Sequence, residues 1–368
     1  QSYIRTKQDG YKGFREMMDM RTNSSNNTVY ADAEGNIAYF HGNFIPVRDT
    51  QFDYNRPVDG SDPATDWQGL HPVSEAITIL NPPNGWIQNC NSTPFTAAAE
   101  YSPKAADYPY YMSRNRENYR GIHAIRLLSK RSGYTLDKLI ETAYDPYLPA
   151  FEELIPGLVA AYDQSSPKDP ALKTPIDTLR QWDFRTSAGS VAMSLAHFYG
   201  MNCLRNGRAP EDMDYMERIA YFGTDAPPAE RLALFKTVVE QLAAGFSQWN
   251  TPWGEINRLQ RLDGSIEPHF DDARPSLAVG LASGRWGALA SYTKRISRTS
   301  GNSFVAVVEF GEKVKAKSLL AGGQSGDPGS PHFFDQGQRY VEVRFKDVAY
   351  YREDVEARAE ERYHPGKR

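Results

Sequence analysis

No run of about 18 apolar residues occurs in this 368-residue chain, so no segment reads as a membrane-spanning helix. Cysteine is scarce. Cys90 and Cys203 are too few and too far apart in sequence for a metal-ligand cluster, and a chain this long needs no disulfide staple. They leave the redox compartment open. The seven histidines are scattered, with no metal-pair spacing. Charge of one sign never accumulates: 42 Lys and Arg stand against 46 Asp and Glu, for a net charge of -4, with no basic block that would track phosphates. Neither nucleic acid nor a membrane is therefore expected as a partner. Self-contained catalytic motifs are missing too: there is no HExxH, no P-loop and no GxGxxG opening a helix after a strand. The chain opens Gln1-Ser2-Tyr3-Ile4-Arg5, with neither an initiator methionine nor a signal-peptide apolar segment, as a fragment or a processed chain begins.

What is present supports a substantial core. Apolar residues make up 40% of the chain and aromatics 12%, which excludes global disorder. Three stretches can be told apart. In residues 1–131, short strand patterns alternate with long polar loops. Phe14, Met17 and Met18 recur at helical spacing, and Thr28–Ala31 and Ile37–Phe40 flank Glu34-Gly35-Asn36 as a hairpin. A long Pro- and Gly-rich connection follows through Pro57, Gly60, Pro63, Gly69 and Pro72, of a length that is usually functional.

Residues 132–282 read as mainly helical. Thr135 is a good N-cap for an apolar face of Leu136, Leu139, Ile140 and Ala143, and Leu232, Phe235, Val239 and Leu242 form another such face. Residues 283–368 return to strands. Phe304–Val308 is a β-branched run that reads as buried on both faces, pairing with Val314–Leu320 across Gly311, and a charged helix around Asp354–Glu361 closes the chain. Strand, helix, strand order without βα repetition predicts an α+β fold. Residues 28–40 and 303–320 are expected in one layered sheet region, with 132–282 outside it.

Several motifs approach known chemistry. Gly322-Gly323-Gln324-Ser325-Gly326 has the wrong glycine spacing for a nucleophile elbow and reads as a tight loop. Ser291-Tyr292-Thr293-Lys294 matches S-x-x-K by letters, but a strand places Ser291 and Lys294 on opposite faces. Asn91-Ser92-Thr93 is also a glycosylation sequon. The segment that resists a bland reading is Asn84-Gly85-Trp86-Ile87-Gln88-Asn89-Cys90-Asn91-Ser92-Thr93-Pro94. Gln88, Asn89 and Asn91 crowd between an apolar entry and a proline exit. Amides of this kind either shape turns through their own backbone or aim donors at one point, as an oxyanion site requires. The residues alone leave both readings open.

Taken together, five motifs resemble the penicillin acylase family of N-terminal nucleophile hydrolases. Tyr30-Ala31-Asp32-Ala33-Glu34-Gly35-Asn36-Ile37-Ala38-Tyr39 is similar to its YADxxGNIxY hairpin, and Asp66-Trp67-Gln68-Gly69-Leu70-His71-Pro72 to its WxGLxP turn. The asparagine-rich segment resembles GYIxNxNxxP, and Arg120 with Arg126-Leu127-Leu128 resembles the family's R…RLL helix. Gly323-Gln324-Ser325-Gly326, His332, Asp335-Gln336 and Glu353-Asp354-Val355 resemble the closing stretch, so the order holds along almost the whole chain.

The resemblance implies part of an αββα layered sandwich with a helical insertion, contributed by the C-terminal part of the large subunit. It implies an amidohydrolase that removes an acyl group from an acyl-homoserine lactone, a β-lactam antibiotic or a lipopeptide, with a slight leaning to long-chain acyl amides. Asn91 matches the asparagine whose amide donates to the oxyanion. Arg120 matches the arginine that holds this site in position. The serine nucleophile, which uses its own α-amine as base, would lie upstream of Gln1, so the chain alone is expected to be inactive. Partners implied are the remainder of the large subunit and a small subunit from the same precursor, in the periplasm or outside the cell. No cofactor is expected: calcium-binding members place an aspartate after the asparagine motif, and alignment on Asp107-Tyr108-Pro109 brings that position to Met112. The competing reading is a non-catalytic binding or scaffold subunit. The sharpest spatial expectation is that Asn91 and Arg120 meet, with Arg120 at the start of a helix whose apolar face is Ile122, Ile125 and Leu128.

Overall fold

The computed structural model describes the whole chain except Ser25, residues 266–268 and 295–298, Pro365, Lys367 and Arg368. Near the N-terminus, helix α1 (Gly10–Met18) turns Phe14, Met17 and Met18 inward. Strands β1 (Thr28–Ala31) and β2 (Ile37–Phe40) form the expected antiparallel hairpin, with Thr28 opposite Phe40. Its turn is set by Asp32, whose carboxylate accepts from the backbone N–H groups of Glu34 and Asn36 and from the Asn36 amide, beside Gly35 at φ +88°. Strand β3 (Thr78–Leu80) adds to β2. The two-residue period of β2 then builds two cores. Ala38 and Phe40 pack with α1, while Tyr39 packs on the other face with Ile77, Ile79, Ala97, Ala98 and Met112. The second of these cores supports the asparagine-rich loop.

Helices follow in close succession: α2 (Tyr119–Leu128), α3 (Leu136–Ala143), α4 (Pro149–Gln164), α5 (Lys173–Arg180), α6 (Val191–Asn206), α7 (Tyr215–Thr224), α8 (Pro228–Phe246) and the single turn α9 (Trp253–Ile256). Thr135 caps α3 as expected, accepting from the Lys138 N–H at 3.3 Å. On α8, Phe235 and Leu242 are buried with Val238, while Leu232 and Val239 flank them. The largest core joins α4, α6, α7 and α8 around Phe151, Tyr199, Phe222, Trp253 and Trp286. Tyr119 belongs to it, so α2 is rooted in the helical part. The buried residues of α2 are Tyr119, Gly121, His123 and Ala124, and the expected face of Ile122, Ile125 and Leu128 is only half-buried. Apolar spacing misses this because the contacts that set the helix rotation are polar. The buried His123 Nδ1 lies 2.8 Å from the Gly287 carbonyl, and Tyr119 donates to Glu153 at 2.7 Å.

The last part holds strands β4 (Arg258–Leu259) and β5 (Leu277–Ala278) as one pair and β6 (Tyr292–Lys294) and β7 (Thr299–Gly301) as another. Strands β8 (Phe304–Glu309) and β9 (Lys315–Leu320) form the expected hairpin. Helix α10 (Gly337–Val341), strand β10 (Lys346–Asp347) on the far edge of β9, and helix α11 (Arg352–Arg358) complete the chain. One expectation fails here. The run Phe304–Val308 is not buried on both faces: Val307 is 5% exposed but Phe304 is 59% and Val308 40%. Strand β8 is an edge strand with one covered face, so alternation governs it. Residues 28–40 and 303–320, expected in one layered sheet region, lie in separate three-stranded sheets with separate cores. Each hairpin takes its third strand from nearby sequence, where loop closure costs least. Among the described residues every strand pair is antiparallel and no βαβ unit is formed, which is a mixed helix and strand fold of the α+β kind. No described helix is long and apolar enough to cross a membrane.

Candidate active site

The asparagine-rich segment folds as a closed loop. The Gln88 N–H donates to the Ala97 carbonyl at 2.8 Å, and the buried Gln88 amide donates to Ser92 Oγ at 3.2 Å. Thr93 accepts from the Phe95 N–H and caps a short turn with Pro94 in its first position. Ile87 and Phe95 pack on the second core and anchor the base of the loop. At its tip Asn89 and Asn91 are exposed, while Cys90 between them is half-buried.

Asn91 is held in the left-handed region at φ +56°, where asparagine is among the few side chains tolerated. The peptide that precedes it is gripped from both sides. Its N–H donates to Asn89 Oδ1 at 3.1 Å, and its carbonyl, that of Cys90, accepts from Asn118 Nδ2 at 3.1 Å. Asn89 Oδ1 also accepts from Asn27 Nδ2 at 3.3 Å. Asn118 is the N-cap of α2, its Oδ1 accepting from the Gly121 N–H at 3.0 Å. The same helix carries Arg120, whose guanidinium donates to Asn91 Oδ1 at 2.9 Å. The structure thus brings together the two residues singled out in the sequence, 29 positions apart. With Oδ1 engaged by Arg120, the amide is oriented, and Asn91 Nδ2 has no acceptor among the described residues.

Loop and helix approach closely because Gly121 has no side chain. A Cβ there would lie 2.8 Å from Ser92 Oγ and 2.9 Å from Ser92 Cβ. Glu117 adds a second tie, accepting from Thr96 Oγ1 at 2.6 Å. On its far side the Arg120 stem crosses Gly284, where a Cβ would stand 3.0 Å from Arg120 Cδ. The arginine is therefore confined between the loop and the turn at 284–286.

The neighbouring thiol is not a nucleophile at neutral pH. Burial pushes Cys90 up to about 11, against the opposing pull of the Arg120 charge. Buried His123 is lowered, chiefly by desolvation, although Gly287 and Asp145 (3.3 Å from Nε2) favour its charged form. Its place is in the packing of α2. The remaining sequence candidates take separate partners. Ser291 meets Asn302 Oδ1 at 3.3 Å, while Lys294 pairs with Asp272 at 3.2 Å. Ser325 sits in a loop closed by its N–H to the His332 carbonyl. Asp107 is exposed at a short turn and Met112 is buried in the second core. No group of three or more metal-ligating side chains is assembled among the described residues. Reading the sequence missed Asn118, Gly121, Ser92 and Asn27. Only Asn118 left a local signal, as an N-cap residue ahead of an amphipathic helix.

The family model for penicillin amidase matches residues 3–357. The chain is 30% identical over 162 residues to penicillin G acylase of Escherichia coli, a match covering 43% of this chain and 18% of that protein. It is 23% identical over 375 residues to acyl-homoserine lactone acylase PvdQ of Pseudomonas putida, covering 91% of this chain and 45% of that protein. The chain thus spans less than half the length of these two curated relatives. In fold it is similar to a thermostable penicillin G acylase from Alcaligenes faecalis, with a TM-score of 0.61 at 16% identity over 98% of this chain and 71% of that one.

Proposed function

The chain belongs to the penicillin amidase family, and from that premise we propose that it forms part of an acylase that hydrolyses an acyl amide, with Asn91 as oxyanion donor. The observation that carries this reading is the Arg120–Asn91 pair: a guanidinium fixes the amide oxygen at 2.9 Å and leaves Nδ2 on an exposed loop tip with a donor to offer.

The chemistry follows from charge. Attack on an amide carbonyl places negative charge on its oxygen, and a donor already aimed at that position stabilises the transition state by about 3 kcal/mol. Arg120 suits the fixed orienting role because its guanidinium is planar and stays protonated. The nucleophile is assigned to an N-terminal serine in sequence beyond these 368 residues, completing the αββα sandwich. Its α-amine, with an ordinary pKa of about 8, is the base for its hydroxyl. The proton it takes passes to the departing amine, and water releases the acyl group from the serine ester. Candidate substrates are acyl-homoserine lactones, β-lactams and acylated peptides.

The test compares two preparations, the complete protein with its preceding sequence and the 368-residue chain alone. Each is assayed with N-octanoyl homoserine lactone and a chromogenic phenylacetamide. Turnover is expected from the complete protein and none from the chain. Hydrolysis by the chain above a heat-inactivated control would contradict the assignment of the nucleophile. Silence of the complete protein on all acyl amides would favour a binding subunit.

A further inference from the structure

The clamp on the peptide before Asn91 singles out a residue outside the catalytic pair. Resting on the reading of Asn91 as the oxyanion donor, we infer that Asn118 is a positioning residue that sets the direction of the Asn91 amide. Its single side chain serves two elements at once. Oδ1 caps α2 through the Gly121 N–H at 3.0 Å, and Nδ2 holds the Cys90 carbonyl at 3.1 Å. The first bond fixes the helix that carries Arg120, and the second fixes the peptide plane from which Asn91 departs.

Geometry explains why this plane matters. The bond from N to Cα of Asn91 begins at that peptide, and φ is held at +56°, a conformation with little intrinsic stability for a residue bearing a Cβ. On the other face of the plane, Asn89 Oδ1 holds the N–H at 3.1 Å. Releasing the Cys90 carbonyl would let the plane rotate toward ordinary turn geometry and swing the Asn91 amide off its Arg120 contact. An offset of about 1 Å in a catalytic group costs on the order of a hundredfold in rate. A cap alone does not require asparagine, since Asp or Ser serves equally well. What asparagine adds is the donor on the other arm of the amide, and that arm reaches the loop.

The test is Asn118→Asp in the complete enzyme, which keeps the capping oxygen and the shape of the side chain but sets an oxygen against the Cys90 carbonyl. The expected result is a fall in kcat of about tenfold or more with KM changed less than about twofold, because the affected interaction belongs to the transition state. The thermal midpoint should stay within a few degrees of the parent, because the cap remains. Asn118→Ser, which also caps but does not reach Cys90, should behave the same way and carries the test if the aspartate variant fails to fold. In an Asn91→Ala background, Asn118→Asp should lower kcat no further, since both changes act on one donor. Normal turnover of both Asn118 variants beside a crippled Asn91→Ala would overturn the positioning role and leave the oxyanion reading standing. Independent, multiplying losses would also overturn it. Normal turnover of Asn91→Ala would remove the oxyanion reading itself.

Discussion

Asn91 shows how much of the meaning of a proposed oxyanion donor lies in its neighbours. Its exposure and left-handed backbone suit an ordinary loop asparagine equally well. What separates the two readings is Arg120, which takes the amide oxygen and so decides which atom is left to donate. At this scale Arg120→Lys is informative. An ammonium keeps the charge but not the planar fork, and the Arg120 stem passes close against the turn at Gly284. In the complete enzyme kcat should fall by about tenfold or more while circular dichroism stays unchanged. Near-normal steady-state rates would show that charge alone suffices and that the amide is not oriented by the guanidinium. The crowding of amides in residues 88–91 was legible in the sequence. The residues that hold them were not, because Asn27, Ser92 and Gly121 act through space and carry no pattern of their own.

At the scale of elements, local signals gave sound expectations and non-local ones did not. The hairpin at residues 28–40 and the Thr135 cap depend on neighbours a few positions away, and both are present. The burial of β8 and the rotation of α2 depend on what packs against them, which no periodicity states. The crossing of α4 and α7 is a further case of contact deciding over propensity. A Cβ on Gly157 would lie 1.9 Å from the Gly223 carbonyl oxygen, so the helices meet through glycine on both sides. Alanine is worth up to about 1 kcal/mol more than glycine inside a helix. Overpacking between two backbones costs about 3 kcal/mol, so the clash wins. Gly157→Ala should therefore lower the thermal midpoint by several degrees. Gly245→Ala, in the last turn of α8 with nothing within 4 Å of its Cβ, should raise it slightly. Equal shifts for the two variants, read by calorimetry, would refute this account of the helix crossing.

For the whole molecule, the α+β class was legible from the order of strand and helix patterns, and the grouping into sheets was not. Two hairpins at opposite ends of the sequence, expected in one layered sheet region, close separate three-stranded sheets, β3 serving one and β10 the other. The candidate site lies where the sheet-backed loop meets the first helix of the helical core, and it draws residues from both. The proposed function rests above all on Asn91 Nδ2 pointing to where an oxyanion would form. An alkylboronic acid, whose tetrahedral adduct with a serine stands in for that intermediate, reports on the claim directly in a crystal structure of the complete enzyme. The account predicts a boronate oxygen about 2.7–3.1 Å from Asn91 Nδ2, with Arg120 still on Oδ1. An adduct whose oxygens all turn away from Asn91, with its amide donating to solvent or to the loop instead, would contradict it.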